Sequence, residues 1–400
     1  MESVGSLSGW LSADVLRAML RMTGGDWWIA RMTCRVFRRH TDVGVHDVLS
    51  AVTSIDRCKL AIALNLAQRR VAPAAALAGQ LDVLKWSLGW TTDLRTICAS
   101  AAHGGHLHVL VWAVEYGCPW GDASRGAAMC GNLEMLDWAV ARGLWRSDDA
   151  TSYGAALGGH TRVLQWILDA GGVVSPVAYS AAAANGHLRV LDWLFTHGVE
   201  RGGVNAVFHA AETGNIAGLK WLLDHQWPLH RFACTAAARR GHLGVLQWLR
   251  LNACPWDEQT SAQAAYWGHI ELLRWARAND CPWGGSVCEG AAQANDMETL
   301  KWLLDGGCPC DHRACLAAAQ SGNLEMLQLL RERGCEWNAD ACFYAAEAGH
   351  LEVARWAHDN ECPWTDEDRA RAAQTTRCPE VRSWLRCLVP ALRRLRSSTN

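Results

Sequence analysis

Gly268-His269-Ile270-Glu271-Leu272-Leu273-Arg274-Trp275 decides how this 400-residue chain reads, because the phrase recurs along most of it. Gly241-His242-Leu243 leads to Trp248, Gly186-His187-Leu188 to Trp193, and Gly105-His106-Leu107 to Trp112. Twelve copies of the tryptophan slot follow at steps of 26 to 28 residues: Trp86, Trp112, Trp138, Trp166, Trp193, Trp221, Trp248, Trp275, Trp302, Leu329, Trp356 and Trp384. A fixed period of this size marks a solenoid, in which each unit buries its apolar face against its neighbours.

Working outward from the phrase gives one unit. A first helix ends in Ala264-Ala265, a tight turn uses Gly268, and a second helix runs over about 269–279. The loop Cys281-Pro282-Trp283 then leads to the next first helix. Alanine pairs recur at 101–102, 127–128, 155–156, 182–183, 210–211, 237–238, 291–292, 318–319 and 345–346, where close helix approach calls for little bulk. The glycine slot predicts positive φ at a helix C-terminus. Its substitution by Asn295 fits that reading, since asparagine is the next-best left-handed residue. The last copy has Arg377, which predicts an altered cap. Leu243, Leu246 and Leu249, with Trp248, are expected to face the stack, Trp248 buried among them.

Composition narrows the class. Half the residues are apolar and the formal charge is −2, which argues against disorder and against a nucleic-acid-binding charge excess. Four lysines stand against thirty-four arginines, a bias that fits GC-rich coding better than an arginine patch. No N-terminal basic region precedes an apolar core, and no window has the length of a membrane span. Seventeen cysteines in a chain of this size without an export signal are expected to be reduced thiols. The expectation is a soluble, cytoplasmic, monomeric protein with no membrane contact.

The phrase Ala345-Ala346-Glu347-Ala348-Gly349-His350-Leu351-Glu352-Val353 resembles the helix pair of the ankyrin repeat. The resemblance implies an all-α, ankyrin-like helical-pair solenoid of about twelve short repeats, covering residues 73–388. It departs from the family in length, about 27 residues in place of 33, and lacks the Thr-Pro-Leu-His opening. Short turns are therefore expected where ankyrin repeats carry a β-hairpin finger. Ahead of the array, residues 1–10 read as a free start and 44–72 as a connector or capping helix. Residues 389–400 form a basic tail.

Residues 11–43 form a separate helical segment that resembles an F-box, the module that docks on a Skp1-type adaptor. Leu11, Asp14, Val15, Leu16, Met19 and Leu20 carry the match, followed by Thr33-Cys34-Arg35-Val36-Phe37. It departs at Ser12, where proline is usual, and at Phe37, where tryptophan is frequent. The resemblance implies that Leu11, Leu16, Leu20, Cys34 and Phe37 contact the adaptor. The alternative is an N-terminal cap over the first repeat. An F-box-like start, Cys-Pro-Trp loops and tryptophan-rich second helices together resemble ankyrin proteins of giant DNA viruses of the pandoravirus type, which would place the chain in host cytoplasm.

Chemistry finds little purchase. His106, His160, His187, His242, His269 and His350 share a slot with Asn132, Asn215, Asn323, Gln80 and Asp296, so the slot reads as a helix-start hydrogen bonder. Cysteines likewise occupy two slots. Cys118, Cys254, Cys281, Cys308, Cys335 and Cys362 lie in equivalent loops; Cys98, Cys234, Cys288, Cys315 and Cys342 lie in first helices. Equivalent atoms about 10 Å apart are too distant for disulfides or for sharing a metal. The local cluster from Cys308 to Cys315, with Cys310 and His312, has no second Cys-x-x-Cys and predicts no zinc site. No cofactor, metal or catalytic set is expected, and the chain is not read as an enzyme.

Positions outside these slots remain for recognition: Arg239, Arg240, Tyr266, Trp267, Gln293, Gln320 and Glu347, each at the end of a first helix. In an ankyrin-like stack they would line the concave face and hold a protein target. The leading expectation is a substrate-recognition adaptor whose repeats bind the target while the F-box-like segment recruits a ubiquitin-ligase scaffold. The alternative is a plain binding or sequestering scaffold.

Overall fold

The left-handed turn of each repeat is present where the sequence pattern predicts it. In the computed structural model, which describes residues 71–88 and 94–388, Gly268 has φ +72° and Asn295, the substituted copy, φ +57°. At the last copy the cap falls on extended Thr376, with φ −60° and ψ 136°. A second left-handed position, unmarked in the sequence, follows ten of the second helices. Gly117, Gly143, Gly171, Gly198, Gly307 and Gly334 fill it in some repeats, Gln226, Ala253, Asp280 and Glu361 in others.

Twenty-four helices and no strand occur among the described residues, arranged as twelve first-helix/second-helix pairs from Val71–Leu77 and Leu81–Ser87 to Asp366–Thr375 and Pro379–Leu388. This is the expected all-α, ankyrin-like helical-pair solenoid, with short turns in place of fingers. The F-box-like segment, nearly all of the connector and the basic tail lie outside the described residues.

The chain divides into two compact units. Residues 1–182 with 189–201 form the first, in which the described pairs begin at Val71 and the first helices stack in order from Val71–Leu77 through Asp149–Gly158. Residues 183–188 with 202–400 form the second, where first helices stack from Asn205–Glu212 through Asp366–Thr375. The alanine pairs are fully buried, so first helices approach closely. The helix Gly285–Gln293 comes so near Glu258–Tyr266 that a Cβ on Gly290 would lie 2.7 Å from the Ala262 carbonyl oxygen.

The loop phrase also explains its own geometry. In Cys254-Pro255-Trp256-Asp257 the carboxylate of Asp257 caps the next helix, accepting from the Gln259 amide at 3.1 Å. The loop thiols are buried and donate to the carbonyl 24 residues earlier: Cys254 to His230, Cys281 to Asp257, Cys308 to Gly284 and Cys362 to Asn338, at 3.4–3.6 Å.

Two expectations are corrected here. Apart from Trp221, which is buried, the tryptophan slot stands at the edge of the stack: Leu246 and Leu249 are fully buried, but Trp248, Trp275, Trp302 and Trp356 are half-buried. In Trp275, Trp302 and Trp356 the wide indole sits on the flank of the second helix and packs on the loop tryptophan of the preceding repeat. Trp256 and Trp275 have ring centroids 5.9 Å apart, Trp283 and Trp302 5.9 Å, and Trp337 and Trp356 5.8 Å. Arginines close these stacks, with Arg250 and Arg277 each 4.2 Å from the ring centroids of Trp256 and Trp283. Nor are all thiols free. Cys310 and Cys335 form a disulfide with Cα atoms 5.4 Å apart. Slot-equivalent thiols are too distant to bond, but Cys310 is in neither cysteine slot.

Candidate protein-binding face

The predicted recognition residues follow from the helix ends that carry them. The alanine pair faces the stack, and the next two positions before the left-handed residue turn outward. Arg239, Arg240, Tyr266, Trp267, Gln293 and Gln320 are exposed, while Glu347 is half-buried. All seven belong to the second compact unit.

Neighbouring repeats join some of these side chains and leave others apart. The Arg239 guanidinium lies 5.7 Å from the centroid of the Trp267 ring, and Tyr266 meets Trp267 edge-on at 5.3 Å. Trp267 remains 47% exposed in spite of both contacts, a large apolar area for a surface residue. Arg240 is neutralised by Glu212, at 3.1 Å. Gln293 donates to Glu289 at 3.0 Å. Gln320 and Glu347 make no side-chain contact with this cluster in the structure. Among the described residues Arg239 has no carboxylate partner, so its charge stands beside the exposed indole.

Phe232, 48% exposed at the start of the same first helix as Arg239, is a further exposed aromatic side chain and was not singled out from the sequence. The signal was present: Phe232 falls off the buried face formed by Ala233, Cys234 and Ala237. Arg231 lies 5.6 Å from its ring and also pairs with Asp257 at 3.4 Å. Farther along, Arg313 bridges Glu289 at 3.3 Å and Asp311 at 2.8 Å. Burial works to raise Asp311, but hydrogen bonds from the Arg313 side chain and backbone outweigh it and hold the carboxyl below its usual value.

The shared histidine and asparagine slot divides by chemistry. Asn215, Asn323 and Asp296 cap their own helices, accepting from Gly218, Met326 and Thr299 amides at 2.9–3.0 Å. Histidines reach back one repeat instead. Nε2 of His160, His242, His269 and His350 bonds the carbonyls of Met129, Glu212, Arg239 and Gln320 at 3.0–3.2 Å. A carbonyl only accepts, so each Nε2 carries the proton. These imidazoles tie the carbonyls of Arg239 and Gln320 in place. Among the described residues no three His, Cys, Asp or Glu side chains come together as a metal site. In the 308–315 cluster, Cys308 and Cys315 lie buried in their slots.

Regular helical pairs, buried alanine pairs and exposed variable helix ends make an ankyrin-like repeat scaffold suited to protein–protein interaction. Family models described as ankyrin repeats in three copies and ankyrin repeats in many copies match residues 289–368 and 207–250. Among solved structures, the human ASB11 ankyrin repeat domain is similar at 17% identity and a TM-score of 0.29, over 46% of this chain and 84% of that one. No curated protein matches the chain.

Proposed function

We propose that the repeats hold a protein target on the surface built by Arg239, Tyr266 and Trp267, with Phe232 at its edge, and that the F-box-like segment links that target to a Skp1-type adaptor. The observation that carries the first half is the exposed Trp267 indole beside the unpaired Arg239 charge. Large aromatic and arginine side chains supply most of the energy where protein surfaces meet. A matching segment would bring an acidic side chain to Arg239 and an apolar one to Trp267. Arg240, held by Glu212, and Gln293, held by Glu289, act as a polar rim, with Gln320 and Glu347 farther along the row.

The second half rests on Leu11, Leu16, Leu20, Cys34 and Phe37, the residues of the F-box-like phrase, and places the protein in cytoplasm where such adaptors work. Full-length protein bearing Leu16→Asp and Leu20→Asp separates it from a plain scaffold. An adaptor-recruiting chain retains a purified Skp1-type protein as wild type and loses it in the variant, with the melting temperature of the repeats unchanged. Failure of the wild type to bind, together with a lower melting temperature in the variant, makes the segment a cap, because two carboxylates would then be buried without partners.

A further inference from the structure

One joint of the second compact unit is closed by a disulfide. At three joints of this unit the clamp between repeats has three parts: an arginine near the end of a second helix, a loop tryptophan six residues later, and a slot tryptophan in the next second helix. Arg250, Trp256 and Trp275 form one set; Arg277, Trp283 and Trp302 another; Arg331, Trp337 and Trp356 a third. At the corresponding positions between the second and third sets stand Leu304, Cys310 and Leu329. All three parts are replaced together, and this is where the disulfide to Cys335 is found.

The register of the loops explains why a cysteine works here. Each loop thiol sits against the carbonyl of the residue 24 positions earlier. The tryptophan position is 25 earlier, adjacent to that carbonyl, and Cys310 stands 25 residues before Cys335. A cysteine in place of the loop tryptophan therefore meets the thiol already buried in the next loop. Cys335 is 1% exposed, whereas Cys310 is half-buried.

We propose that the Cys310–Cys335 disulfide is a redox-controlled clasp that replaces the tryptophan–tryptophan–arginine clamp at this joint. Closing it needs a small disulfide such as oxidised glutathione. The Cys310 thiolate attacks one sulfur of the reagent, forming a mixed disulfide and releasing one small thiolate. The Cys335 thiolate then attacks the Cys310 sulfur and releases the second. Two electrons pass to the reagent, and the two protons lost by the cysteines end on the two released thiols. A reducing thiol reverses both steps, entering at the sulfur of Cys310, the less buried of the two residues. With the bond open, this joint has neither clamp nor crosslink.

The full chain is equilibrated in reduced or oxidised glutathione, alkylated, digested and mapped by mass, with melting followed in parallel. The clasp predicts a linked peptide joining Cys310 and Cys335 under oxidation, 2 Da lighter than the sum of the reduced peptides. It also predicts a melting temperature lower by roughly 5 °C on reduction. Cys310→Ser, a small change at a half-buried position, should melt like the reduced wild type in both buffers. The triple variant Leu304→Arg, Cys310→Trp, Leu329→Trp should rebuild the clamp and melt above Cys310→Ser, indifferent to redox state. Absence of the linked peptide overturns the proposal. So does a wild type that links without any change in melting, a Cys310→Ser variant that responds to redox as strongly as wild type, or a triple variant no more stable than Cys310→Ser.

Discussion

At the residue scale the glycine slot obeys two constraints, only one of which the sequence alone displays. Positive φ explains why asparagine is the substitute at position 295. The second constraint comes from the following repeat. A Cβ on Gly241 would lie 2.7 Å from Nδ1 of His269, a ring held by its bond to the Arg239 carbonyl, whereas a Cβ on Gly268 would meet nothing within 4 Å. Asn295 occurs where the follower is Asn323, which donates to its Oδ1 at 2.7 Å. Gly268→Ala should therefore cost about 1–2 kcal/mol from backbone strain alone. Gly241→Ala should cost about 1 kcal/mol more, the worth of the displaced histidine bond. A double-mutant cycle with His269→Ala checks this by urea unfolding: the excess should vanish when the ring is removed, and an excess that survives contradicts the steric account.

At the scale of the element, the helix pair was legible because its signals are local and repeated. The alanine pair, the left-handed glycine and the leucine spacing each depend on residues within one unit. The placement of tryptophan was not legible, because helical periodicity cannot tell the centre of a buried face from its flank. The partner that decides the matter, a loop tryptophan such as Trp256, comes from the preceding repeat. The same reason hid the disulfide, which joins a residue outside the cysteine slots to one within them. A test follows from the corrected geometry. Leu246→Ala removes a fully buried side chain and should cost roughly 2–5 kcal/mol. Trp248→Ala, the larger truncation, should cost only about 1–2 kcal/mol, because the indole is half-buried and has no ring partner among the described residues. Denaturant midpoints in the opposite order would return Trp248 to the core.

At the scale of the whole molecule, the sequence showed where variation is permitted, at the first-helix ends, but not which variable residues cooperate. Arg239 meets Trp267 and Arg240 meets Glu212 only because consecutive helices present them side by side. The buried thiols give the molecule a pH limit. Burial pushes Cys98 and Cys315 up to about 12, with neighbouring Cys118 adding to the rise at Cys98. Cys254 and Cys362 move down, because the thiols of Cys234 and Cys342 hydrogen-bond to them. A thiol with a raised folded pKa keeps its proton where the unfolded chain has lost it. Its stabilising contribution is therefore full below about pH 8.5 and is lost as pH climbs from there toward 12. The melting temperature should fall between pH 8.5 and 10.5, and Cys98→Ala should flatten that fall; an unchanged slope would remove Cys98 from the account. The central claim is that the Arg239–Trp267 surface holds a protein target, and the most direct test compares proteins retained by tagged full-length wild type with those retained by Arg239→Glu, Trp267→Ala. Melting is recorded for both, since exposed positions should change it little. The account predicts at least one partner held by wild type and lost by the variant at a closely similar melting temperature; an identical set of retained proteins would contradict it.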